Sequence, residues 1–155
     1  MNLRLNFSWI EENVIAGAHY PDDSSDFDYL RNNGIKVIIS LRQKNHYTVL
    51  PAKVLKGFVI YHLPIEDFSI PTDEQVREFW QLYQKHEKLR ESIVVHCYAG
   101  CGRTGTMLAA WLLLKEKVKT GQEAIEMVRE LRPCSIESDE QEEFICHVGR
   151  NLHLY

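Results

Sequence analysis

Ser92-Ile-Val-Val-His96-Cys97-Tyr98-Ala99-Gly100-Cys101-Gly102-Arg103-Thr104-Gly105, followed by Thr106-Met-Leu-Ala-Ala-Trp-Leu-Leu-Leu114, is the stretch that decides the fold. Ile93 to Val95 form a short, continuous, β-branched run, the pattern of a strand buried on both faces. Residues 103–117 read as a helix whose apolar positions nearly encircle it, which places it in the middle of the protein. Between the two lies a loop containing Gly100 and Gly102, with Gly105 just beyond, so the backbone can turn tightly and aim successive N–H groups inward. The junction from a buried strand to a buried helix is where open α/β sheets bind their ligands.

The flanking sequence repeats the alternation. Asn13 to Ala18 is a short strand candidate, and Asp26 to Asn33 reads as a helix stopped by Asn33-Gly34. Val37 to Leu41 and Phe58 to His62 read as strands. Thr72 with Gln75 opens a helix whose Val76, Phe79, Trp80 and Tyr83 fall at helical spacing. Thr120 with Glu123 caps the next helix, which buries Ala124, Ile125, Val128 and Leu131 and ends before Pro133. Ser138 with Gln141 caps a last helix with Phe144, Ile145 and Val148 inward. The expected fold is α/β: a central, largely parallel sheet of four to five strands flanked by helices. The 155 residues, without repeat or linker, suit a single domain over 1–155.

At 45% hydrophobic and 26% charged residues, the composition excludes a disordered chain. The net charge is −4 and no basic block is present, so neither nucleic acid nor a membrane is an expected partner. An anionic substrate must then be attracted by a local device. The N-terminal residues lack the apolar run of an export signal, and Met107 to Leu114 is too short to span a bilayer. The expectation is a cytoplasmic monomer, with the nucleus as the other compartment, and its four cysteines are expected as free thiols.

The loop has the composition of an anion cradle. The helix that follows contributes its positive N-terminal end, and Arg103 offers a planar, two-pronged donor to a tetrahedral oxyanion. Residues Tyr98, Ala99, Gly100, Cys101, Gly102 and Arg103 form the expected phosphate-binding set. Cys97, at the floor of the cradle, feels the same positive field, which favours the thiolate and makes it an in-line nucleophile towards phosphorus. Cys134 and Cys146 read as small core residues. A zinc site from His96, Cys97, Cys101 and His147 is the competing reading; the Cys97-x3-Cys101 spacing and the absence of a second pair speak against it. No Gly-Lys-Ser/Thr follows the glycines, so a Walker-type nucleotide loop is excluded.

His96 to Gly105 resembles the signature His-Cys-x5-Arg-Ser/Thr-Gly of protein tyrosine and dual-specificity phosphatases. Asn6-Phe-Ser-Trp9, Gly102 to Leu108 and Leu131-Arg-Pro-Cys-Ser-Ile-Glu137 are similar to the small atypical dual-specificity phosphatases that consist of a catalytic domain alone. Two positions depart from those relatives: Cys134 stands where they carry Gly, and Cys101 occupies a variable, often apolar, place. The resemblance implies a phosphotyrosine phosphatase-like fold and a phosphorylated protein or peptide as substrate. It also implies a phosphocysteine intermediate and no metal or cofactor, since Arg103 and the loop amides neutralise the phosphate. It assigns the general acid to Asp67 in Ile65-Glu66-Asp67-Phe68, with Glu66 as runner-up.

By the same resemblance Thr104 donates to the Cys97 sulfur, and His96 holds loop backbone groups outside the proton path. Gln141, or alternatively Glu137, positions the hydrolytic water; both also read as cap-region residues. Arg42, Lys44 and His46, on a polar loop, either line the cleft and meet an acidic substrate or stand solvated. Cys101 or Cys134 could trap an oxidised Cys97 as a disulfide. The competing functions are a phosphatase of a non-protein monoester (inositol lipid, RNA 5′ end or sugar) and a non-catalytic phosphate-binding module. Lipid-directed relatives often carry Lys in the loop, where this chain has Tyr98 and Cys101.

Overall fold

A computed structural model describes residues 4–155; Met1 to Leu3 of the N-terminal stretch read for an export signal lie outside the described residues. The elements follow the order β1 (Ser8–Glu11), β2 (Ile15–Ala18), α1 (Ser24–Asn32), β3 (Ile35–Ser40), β4 (Val59–His62), α2 (Asp73–Lys88), β5 (Ser92–His96), α3 (Gly102–Leu114), α4 (Gly121–Leu131) and α5 (Asp139–Arg150). The sheet order is β1-β2-β5-β3-β4, parallel except for the β1–β2 pair. This is the expected α/β architecture with five strands.

Local chemistry sets the helix starts. Thr72 and Gln75 form both halves of a capping box, as do Asp23 and Asp26 at α1. Thr120 and Ser138 each accept the backbone N–H three residues on. Glu116, at φ 60, turns the chain into the left-handed region, so α3 stops at Leu114 and not at residue 117.

The sheet carries apolar residues on both faces because β5 alternates within a buried run. Ile93 and Val95 join Val37, Ile39 and the helices α2 to α5 in the larger cluster; Val94 joins Ile38, Phe27 and Leu30 on the face covered by α1. Every residue of α3 from Gly102 to Leu113 is buried, as its encircling apolar pattern requires. Strand β1 was not expected. It pairs antiparallel at the sheet edge, with a register shift between Trp9 and Glu11, and all four of its residues are half-buried. The central strand β5 lies between β2 and β3 and delivers Cys97 to the C-terminal edge of the sheet.

Candidate active site

The loop from Cys97 to Cys101 has all five of its carbonyls tied outward. His96 Nδ1 donates to the Cys97 oxygen at 3.0 Å, and the Tyr20 amide to Tyr98 at 3.2 Å. Asn6 Nδ2 donates to Ala99 at 3.4 Å, and Arg132 Nη2 to Gly100 at 2.6 Å. The Cys101 carbonyl takes the Gly105 and Ile136 amides at 2.8 and 3.2 Å. With the carbonyls so held, the intervening amides face the other way. Those of Tyr98, Ala99, Gly100 and Cys101 have no hydrogen-bond acceptor among the described residues. The turn needs Gly100, which sits at φ 80; a Cβ there would lie 2.5 Å from the Ala18 carbonyl.

Cys97 is buried and carries a free thiol. Arg103 is also buried; its Nη1 donates to the Ile65 carbonyl at 2.8 Å and its Nη2 lies 3.4 Å from Asp67 Oδ1. Its Nε has no partner among the described residues, an orphaned donor that a bound oxyanion would satisfy. Asp67 sits on an exposed turn after β4, where Phe68 at φ 62 and the Ser69-to-Glu66 backbone bond set the bend. Asp67 lines the same cleft as Arg103 and Tyr98; Glu66 does not.

His96 is fully buried. Burial pushes its pKa down to about 3, so the ring is neutral. With the Nδ1 proton on the Cys97 carbonyl, Nε2 accepts from the Tyr47 hydroxyl at 2.7 Å. Tyr47 is itself held protonated by burial. This places His96 as a brace of the loop.

A family model described as "PTP-SAK: Swiss Army Knife protein, DSP-PTPase phosphatase domain" matches residues 4–145. The chain belongs to the DSP-PTPase phosphatase family. Tyrosine-protein phosphatase cdc-14 of Caenorhabditis elegans is 33% identical over 149 residues, 88% of this chain and 20% of that protein. Dual specificity protein phosphatase CDC14A of Mus musculus is 36% identical over 151 residues, 88% of this chain and 24% of that protein. The chain thus spans about a fifth to a quarter of the length of these two relatives. In fold it is similar to Tk-PTP in its active form, with a TM-score of 0.83 and 23% identity over 96% of this chain and 99% of that one.

Cys101 and Cys134 are not free thiols: the fold brings their Cα atoms to 5.2 Å and they form a disulfide. While that bond is intact, neither can trap Cys97. Cys101 is thereby also lost to the zinc reading, and His147 pairs with Asp73 at 3.1 Å. The expected Thr104 bond to the Cys97 sulfur is not formed; the buried Thr104 Oγ1 has no hydrogen-bond partner among the described residues.

Gly102 also departs from the expected set, since its amide donates to Glu137 Oε1 at 3.1 Å and faces that carboxylate. Gln141 spends both ends of its buried amide on backbone. Oε1 accepts from the Glu137 N–H at 2.8 Å, and Nε2 donates to the Ser69 carbonyl at 3.1 Å. It therefore ties the 135–138 segment to the Asp67 loop. Ser138 receives only the Gln141 backbone N–H, so the return half of that capping box is absent.

Sequence reasoning missed Arg132 and Tyr47. Arg132, 2% exposed, donates to the carbonyls of Asn6, Gly17 and Gly100 and to Ser8 Oγ, all within 2.6–2.9 Å. Burial lowers its pKa to about 10, with the nearby Cys97 acting in the opposite direction, so it stays a cation. His46 is buried, with Nε2–H donating to the Pro21 carbonyl at 2.8 Å, so it neither lines the cleft nor stands solvated. A cavity of about 570 Å³ between the start of α2 and α5 includes none of the Cys97 loop.

Proposed function

We propose that this chain is a metal-independent phosphatase that hydrolyses phosphotyrosine, and by extension phosphoserine or phosphothreonine, in proteins through a phosphocysteine intermediate. One observation carries the reading: the carbonyls of 97–101 are all tied outward, while four amides of the loop that starts at Cys97 and Arg103 Nε have no acceptor among the described residues. That arrangement suits the three non-bridging oxygens of a phosphoryl group with a nucleophile beneath them.

In the first step the Cys97 sulfur attacks phosphorus in line, the bond to the leaving oxygen breaks, and Asp67 gives that oxygen a proton. In the second, water attacks phosphorus, Asp67 takes its proton, the S–P bond breaks and inorganic phosphate leaves. Arg103 holds the equatorial oxygens in both steps. Gln141 acts by bracing the Asp67 loop.

The test is turnover of p-nitrophenyl phosphate with a chelator present, followed by phosphotyrosine and phosphoserine peptides, an inositol phosphate and a 5′-phosphorylated RNA at equal concentration. Fastest turnover of the phosphotyrosine peptide is expected. Faster hydrolysis of a non-protein monoester overturns the protein-substrate reading. No turnover, with phosphopeptide still bound by Cys97→Ser, makes the chain a binding module. Asp67→Asn should lower kcat on the phosphotyrosine peptide by roughly 10²–10⁴-fold. The loss should be smaller on p-nitrophenyl phosphate, whose leaving group needs less protonation. Equal losses on both substrates would remove Asp67 from the acid role.

A further inference from the structure

The loop after β3 carries a cation that the catalytic reading does not use. Arg42 lies with its guanidinium carbon 4.1 Å from the centroid of the Tyr20 ring and 5.4 Å from that of Tyr98, the first residue after Cys97. The two rings are 5.2 Å apart. Arg42 Nη1 donates to His46 Nδ1 at 3.4 Å. That direction is fixed, because burial lowers the His46 pKa and its one proton is on Nε2, facing the Pro21 carbonyl. Stacking and one hydrogen bond thus hold the guanidinium in place against the phosphate loop.

Arg42 and Lys44 line a cleft of about 200 Å³ together with Tyr98, Asp67 and Arg103. Neither Arg42 nor Lys44 has a carboxylate within 4 Å among the described residues. The cleft's one carboxylate lining it, that of Asp67, is paired with Arg103. In a protein of net charge −4, this leaves two uncompensated cations at the mouth of the site, a held Arg42 and an exposed Lys44.

We propose that Arg42 and Lys44 form a second-anion subsite that binds an acidic side chain flanking the phosphorylated residue, so that the enzyme selects acidic phosphopeptides. This rests on the protein-phosphatase reading above. Because the guanidinium is already held by the two rings, little rotamer freedom is lost when the carboxylate arrives.

The experiment compares one phosphotyrosine peptide flanked by two Glu on each side with the same peptide carrying Gln at those places. Wild type should favour the Glu peptide by about tenfold in kcat/KM, through KM, and the preference should shrink as salt is raised. In Arg42→Gln/Lys44→Gln the ratio should fall to near one. A merely structural role for Arg42 would slow both peptides alike and leave the ratio unchanged, which would overturn the proposal, as would a wild type without preference. Turnover of p-nitrophenyl phosphate but of neither peptide would overturn it too. If wild type hydrolyses nothing, the enzyme reading fails separately. The subsite is then judged by the dissociation constants of Cys97→Ser for the two peptides, equal values sinking it.

Discussion

Cys97→Ser should abolish turnover of p-nitrophenyl phosphate and phosphopeptides, by on the order of 10⁴-fold or more, and leave the melting temperature nearly unchanged. The hydroxyl that replaces the thiol remains neutral in the positive field of the loop, so the cradle keeps its donors and loses its nucleophile. The fold should tolerate the change because Cys97 is the first loop residue after β5, and Ser differs from Cys by little volume. The variant should therefore still bind phosphate and phosphopeptide. Cys146, the second free thiol, is half-buried on α5 away from the loop, and Cys146→Ser should keep full turnover. That contrast separates a nucleophile from a general sensitivity to thiol loss. If Cys97→Ser retained more than roughly a hundredth of wild-type turnover, the phosphocysteine step would have to be abandoned.

The features legible in the sequence are those whose determinants lie close together along the chain. The Cys97 loop is written within ten residues, from His96 to Gly105, and so is its strand-to-helix setting. The caps at Thr72, Thr120 and Ser138 act over three residues and could be read directly. Strand β1 could not: four half-buried residues have no clear alternation, and what makes them a strand is pairing with β2 at Ser8 and Gly17.

The disulfide was hidden for a similar reason, since a separation of 33 residues says nothing about Cα atoms 5.2 Å apart. In the sequence Gln141 stays open between positioning water and capping α5; only the fold brings its amide between Glu137 and Ser69. Resemblance alone singles out Asp67 in the sequence, because a carboxylate on a polar turn has no sequence signal of its own. The turn's geometry then separates it from Glu66.

Arg132→Leu should cost about 3–5 kcal/mol of stability, the largest loss expected from a single side chain near the loop. The arginine fork connects the N-terminal turn at Asn6, strand β1 at Ser8, strand β2 at Gly17 and the loop at Gly100. It packs so closely on β2 that a Cβ at Gly17 would lie 2.7 Å from its Nε. Leucine fills part of that volume but strands the buried carbonyls of Gly17 and Gly100, each costing roughly 1–3 kcal/mol before relaxation, and frees the part-buried one of Asn6. For a chain of this size the melting temperature should fall by roughly 10–15 °C. The Gly100 carbonyl would also lose the donor that keeps it outward, so kcat should drop even well below the melting point.

Arg132→Lys distinguishes the two parts of the interaction. It keeps a cation beneath Cys97 but can direct its donors from only one nitrogen, so it should recover a fraction of the stability and less of the loop order. If charge alone mattered, Lys would restore kcat to the wild-type value. If Arg132→Leu melted within about 3 °C of wild type, equivalent to roughly 1 kcal/mol, the fork would not be what holds the loop carbonyl outward.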